Sequence, residues 1–208
     1  MTKPARRRLP NRAARRADIL RALADAAKEL ACDGETFADL SVERLSRQAG
    51  ISRASFYLYF EDKGELVRGW HDLVDESAQE ILEKWWQATA PSHGFIADVF
   101  SRMQRLHRDS RFELGAIEEM TASYPDLRRV RDATFGRRHD ALHAHIIDGQ
   151  AAGWVDPDID AATTAAWLAA MVDRVMQHVA PTADDDSDLY LTGADIIWQT
   201  LYRLPHRQ

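Results

Sequence analysis

At 208 residues, with nearly half of them apolar, the chain is long enough to bury a core without disulfide or metal staples. Its single cysteine, Cys32, excludes an internal disulfide, and no apolar run nears bilayer-spanning length, so a cytoplasmic protein with no membrane partner is expected. The formal charge of −6 is uneven: residues 1–70 carry 14 Lys and Arg against 10 Asp and Glu, a net of +4 that leaves −10 for the remainder. A basic front on an acidic body points to a polyanion met by the front alone.

In chain order, Ile19, Leu20, Leu23, Ala27 and Leu30 form one helical stripe that ends at Asp33-Gly34. Ser41 is a good N-cap for a short helix carrying Val42, Leu45 and Ala49, stopped by Gly50. Ser52 caps a second short helix. Asp62-Lys63-Gly64-Glu65 has capping-box spacing and opens a long helix over 62–88. After the break Pro91 to Gly94, helices are predicted over 95–108, 111–123 and 126–152. Gly153 to Pro157 is a further break. Two last helices, 159–179 and 188–204, flank an acidic loop with Asp184, Asp185 and Asp186. There is no hairpin signal and no glycine-rich phosphate loop. The expected fold is all-α, about nine helices in two parts: 1–61, small and basic, and 62–208, larger and acidic.

The two short helices joined by Ala49-Gly50-Ile51 have a helix-turn-helix layout. On a wheel started at Arg53, Phe56 and Phe60 fall together and face the core, while Ala54, Ser55 and Leu58 take the opposite face. Tyr57 and Tyr59 sit on the flanks. Such a helix suits a major groove: small and apolar groups meet base edges and thymine methyls, and flanking hydroxyls reach phosphates.

These residues also carry a resemblance. "ISRASFYLYFEDKGEL" after "LSVERLSRQAG" resembles the signature of TetR-family transcriptional regulators over about residues 14–70, through Ser41, Ala49, Gly50, Ile51, Ser52, Phe56, Tyr57, Tyr59, Phe60, Lys63 and Leu66. The resemblance implies an N-terminal helix-turn-helix domain and a C-terminal domain for ligand binding and dimerisation. It implies phosphate contacts from Tyr57, Tyr59 and Lys63, base or backbone contacts from Arg53, Ala54 and Ser55, and a DNA-facing place for Ser41. Leu58, variable in the family, is assigned a thymine contact. Glu43 departs from the pattern, standing where some members have a cation. The cationic start, above all Arg6, Arg7 and Arg8, is assigned to an adjacent minor groove.

For the body, the resemblance implies a homodimer through the last two long helices. There Ala162, Ala165, Ala166, Ala169 and Ala170 allow close approach, and Ile196, Ile197, Leu201 and Tyr202 supply bulk. It also implies a cavity for a small hydrophobic effector. The assigned lining is Trp85, Phe95, Val99, Met103, Leu106, Phe135, His139, Leu142, Trp167, Met171 and Trp198, with Asp173 as a polar contact. The expected function is a repressor that leaves a palindromic DNA operator when the effector binds, with no cofactor and no catalysis. Two alternatives are a DNA-binding regulator without effector and a helical metal-binding protein or enzyme using His139 and His143, four residues apart. Arg137 and Arg138 oppose a cation there.

Overall fold

The computed structural model describes residues 12–31, 35–178 and 187–203. The described residues form nine helices and no strand: α1 (Arg12–Ala31), α2 (Val42–Gln48), α3 (Arg53–Tyr59), α4 (Lys63–Trp86), α5 (His93–Asp109), α6 (Arg111–Thr121), α7 (Pro125–Ala152), α8 (Ala161–His178) and α9 (Ser187–Leu201). The chain divides into two compact units, Met1–Trp70 and His71–Gln208. Arg6, Arg7, Arg8, Cys32 and Asp184 to Asp186 lie outside the described residues.

In the first unit, the α1 stripe buries Ile19, Leu20, Leu23, Ala24, Ala26 and Ala27. It packs with Phe37, Leu40, Leu45, Phe56, Phe60, Leu66, Val67 and Trp70, all nearly inaccessible. Trp70 closes this core with its polar edge satisfied: Nε1–H donates to the Leu20 carbonyl at 3.0 Å, and the ring meets Phe37 edge-on at 5.1 Å. Serine caps start three helices. The hydroxyls of Ser41, Ser52 and Ser92 accept from the backbone N–H groups of Arg44, Ser55 and Phe95.

The turn between α2 and α3 is a complete Schellman motif. The Ile51 N–H reaches the Ser46 carbonyl at 2.9 Å, and the Gly50 N–H reaches that of Arg47 at 3.2 Å. The motif requires a left-handed residue, and Gly50 supplies it with φ 68°. At α4 the Asp62 carboxylate accepts the Glu65 N–H at 2.8 Å, while Glu65 reaches back to the N–H of Glu61 at 2.7 Å, one residue further than an ordinary capping box.

In the second unit, α5 pairs most extensively with α9, and α7 with α8. Gly193 allows the first pairing: a Cβ there would lie 2.9 Å from the Phe100 ring. The core includes Leu82, Trp85, Ile96, Phe100, Ile146, Val155, Ala165, Tyr190 and Ile197. Ala165, Ile197 and Leu201 belong to this core, each at most 1% exposed, whereas Ala162, Ala166, Ala170 and Ile196 face outward.

A candidate DNA-reading helix and a cavity

The crowded aromatic stretch of α3 is divided by burial. Phe56 and Phe60, four residues apart, are 0% and 1% exposed. Leu58 is 63% exposed and Tyr57 47%. Arg53 and Ala54 are exposed too, and Ser55 and Tyr59 are half-buried. The outward face of α3 therefore presents Arg53, Ala54, Tyr57 and Leu58 to solvent.

Several polar groups of this face are organised locally. The Ser52 and Ser55 hydroxyls are 2.9 Å apart, and the Arg53 guanidinium lies 5.5 Å from the centre of the Tyr57 ring, which orders both side chains. Ser41 is exposed; its oxygen caps α2 and its O–H is a donor toward solvent or a phosphate. Lys63 has another task. Its ammonium donates to the carbonyls of Phe37, Ala38 and Leu40 at 2.7, 2.8 and 2.8 Å and lies over the Phe37 ring at 4.6 Å. Its three protons are thereby committed to the loop before α2, where the sequence reading gave them to a phosphate. Glu43 is exposed and lies 4.0 Å from Arg47.

The second unit holds a partly open cavity of about 480 Å³, within the range of drug-sized ligand sites. Of the residues assigned to it from sequence, Trp85, Val99, Met103, Phe135, Leu142 and Asp173 line it. Phe95, Leu106, Met171 and Trp198 instead pack, partly buried, against the core. His139 is stacked between Phe135 and His143, at 6.5 and 6.4 Å. Trp167 is a correction: it is 75% exposed, on the outward face of α8 with Ala162, Ala166 and Ala170. Among the described residues, no group of three or more His, Cys, Asp and Glu could hold a metal ion.

The sequence reading missed the polar part of the wall: His71, Asp75, His107, Glu118, Glu119, Arg131, Thr134 and Arg138. Asp75, largely buried, accepts from Arg137 at 2.6 Å and Arg138 at 2.9 Å. Arg131 pairs with Glu118 at 2.6 Å. The i,i+3 and i,i+4 spacing of Arg131, Thr134 and Arg138 on one helix was the available signal.

Beside the cavity runs a directed chain of hydrogen bonds. Trp85 Nε1–H donates to the Tyr202 hydroxyl at 2.7 Å, and that hydroxyl lies 2.8 Å from His145 Nε2. The other ring nitrogen, Nδ1, lies 3.2 Å from the Trp86 carbonyl, which can only accept. The proton of neutral His145 therefore sits on Nδ1, and Nε2 accepts from Tyr202. Burial lowers the His145 pKa, against a smaller opposing contribution from the Trp86 carbonyl, and pushes the Tyr202 hydroxyl well above the usual phenol range. Together they tie α4, α7 and the residue that follows α9 at one end of the unit.

Residues 22–69 match the family model described as bacterial regulatory proteins, tetR family. Over that segment the chain is similar to the tetR family of bacterial regulatory proteins. Over most of its length it is also similar in fold to solved TetR regulators. One from Haloarcula marismortui has a TM-score of 0.72 at 18% identity, covering 91% of this chain and 99% of that one. PfmR from Thermus thermophilus gives 0.67 at 20%, covering 88% and 100%. NalD from Pseudomonas aeruginosa, the secondary repressor of the MexAB-OprM multidrug efflux pump, gives 0.64 at 17%, covering 90% and 98%. No curated protein matches the chain. The matched segment runs from the middle of α1 to the first turns of α4, so the open face of α3 lies inside it. Among the described residues no helix is long and apolar enough to cross a membrane.

Proposed function

We propose that this TetR-type regulator is a homodimeric repressor that holds a palindromic operator through α3 and leaves it when a small, largely apolar effector fills the cavity of the second unit. The observation that carries the reading is the sorting of α3. Phe56 and Phe60 anchor it, and Arg53, Ala54, Tyr57 and Leu58 stand exposed on a helix that would fit a major groove. Tyr57 and Tyr59 would then take phosphates, Arg53 and Ser55 bases or backbone, and Ala54 and Leu58 thymine methyls. Ser41 would donate to a phosphate at the groove edge. Arg6, Arg7 and Arg8 would follow an adjacent minor groove.

Two half-sites one helical turn apart need a twofold partner. Outward apolar residues of α8 and α9, Trp167, Leu191 and Ile196, are the surface we assign to the second copy. Repression is the mode named for NalD, and we extend it to this chain. Release requires that effector bind the DNA-free conformer more tightly; a hundredfold loss of DNA affinity needs about 2.7 kcal/mol of that difference. The test is selection of genomic duplex fragments by the purified full chain. Enrichment of sites with twofold symmetry and half-sites about 34 Å apart is expected. Enrichment of nothing, or of asymmetric single sites, would contradict it.

A further inference from the structure

The wall of the cavity is unbalanced in charge. Asp75, Glu118, Glu119 and Asp173 set four carboxylates on it against the two guanidiniums of Arg131 and Arg138, a formal −2 with the histidines neutral. Both guanidiniums are committed to two of those carboxylates, Arg131 to Glu118 at 2.6 Å and Arg138 to Asp75 at 2.9 Å. Arg137 lies outside the wall but also reaches Asp75 at 2.6 Å, and counting it still leaves −1. Glu119 and Asp173, half-buried on α6 and α8, supply the remainder. Each is engaged with a group of its own, but an ionised carboxylate offers about four acceptor sites. A carboxylate excess around a space with apolar walls draws cations in and repels anions, over a longer reach than a hydrogen bond.

The apolar part of the wall is a second observation. Four aromatic side chains line the same cavity, Trp85, Trp86, Phe100 and Phe135. The two indoles stack at 4.6 Å, and Trp85 is fixed by its bond to the Tyr202 hydroxyl. Among rings tryptophan attracts a cation most strongly, and an indole already set in place loses little freedom when a ligand arrives. We propose that the effector is an organic cation of the quaternary-ammonium class, an apolar body bearing one permanent positive charge. This rests on the effector reading above and narrows it. The charge offsets the carboxylate excess, and a methyl-covered ammonium lies against indoles without needing a hydrogen-bond acceptor. A carboxylate head would meet an excess of its own sign, with both wall guanidiniums already taken. An uncharged compound would leave the excess unanswered.

The test is calorimetric titration of the full-length protein with decyltrimethylammonium, decanol and decanoate, each below its micelle or solubility limit. It is run at fixed salt and about pH 8, where an ordinary histidine is neutral. One saturable site per chain is expected, with the cation bound about tenfold more tightly than decanol and decanoate weakest. Decanol should compete for that site, which separates it from cations gathered on the acidic surface. Glu119→Gln combined with Asp173→Asn should weaken the cation about tenfold and leave decanol unchanged. If that variant fails to fold, the ranking on the unaltered protein still decides. Decanol or decanoate bound as tightly as the cation, cation binding that never saturates, or an unchanged cation affinity in the folded variant would overturn the proposal. A saturable site for decanol would then leave the effector reading standing. No saturable binding of any of the three, with no shift in melting temperature, would overturn that reading as well.

Discussion

Lys63, expected at a phosphate, is bonded in this structure within its own unit. Its ammonium gathers three carbonyls from the loop that delivers the chain to Ser41, and those partners lie 23 to 26 residues earlier. Neither helical period nor capping rules reach across such a gap, which is why the sequence suggested a free cation. Replacing Lys63 with Met removes three charge-assisted bonds and should cost about 2 kcal/mol of stability, read from a denaturant midpoint. An unchanged midpoint with weakened DNA binding would return Lys63 to the phosphates. Phe56 and Phe60 were legible for the opposite reason: their four-residue spacing is a local property, and so was the outward position of Leu58. Trp167 was not legible, because residue type alone predicts burial for a tryptophan, and only its place among outward alanines on α8 explains its 75% exposure.

The helices themselves were legible wherever their ends are set locally. Ser92 is the exception: read as part of a break, it caps α5, which begins two residues before the expected start. Ser41 and Ser52 each cap through their own hydroxyl, Asp62 through its carboxylate, and Gly50 ends α2 through a backbone conformation other residues resist. That turn sets the approach of α3 and gives a clean prediction. A Cβ at Gly50 would meet nothing within 4 Å, so Gly50→Ala carries a conformational cost alone, about 1 kcal/mol. Gly50→Asn should recover part of it, since asparagine tolerates the left-handed region. Equal losses for both, measured by denaturant unfolding, would show that the turn is held by something other than its φ. The cavity wall was only half legible. α7 spreads its apolar residues around the helix instead of along one stripe, so pattern found Phe135 and Leu142, while Thr134 and Arg138 became wall residues only through α4.

In the function proposed above, one surface serves DNA and another a second copy, while the cavity would supply the difference between bound and released states. The division into two units and nine described helices gives each task its own ground. The claim on which the rest depends is that the outward face of α3 enters a duplex, and Leu58 tests it most cleanly because its side chain has almost nothing to lose in the fold. The measurement is the affinity of Leu58→Glu for the selected operator at fixed salt, beside its melting temperature. A carboxylate in each groove should cost about 1–3 kcal/mol per half-site, and a dimer should lose about thirtyfold or more in affinity with an unaltered melting temperature. Operator binding equal to that of the unaltered protein would place the DNA elsewhere and contradict the account.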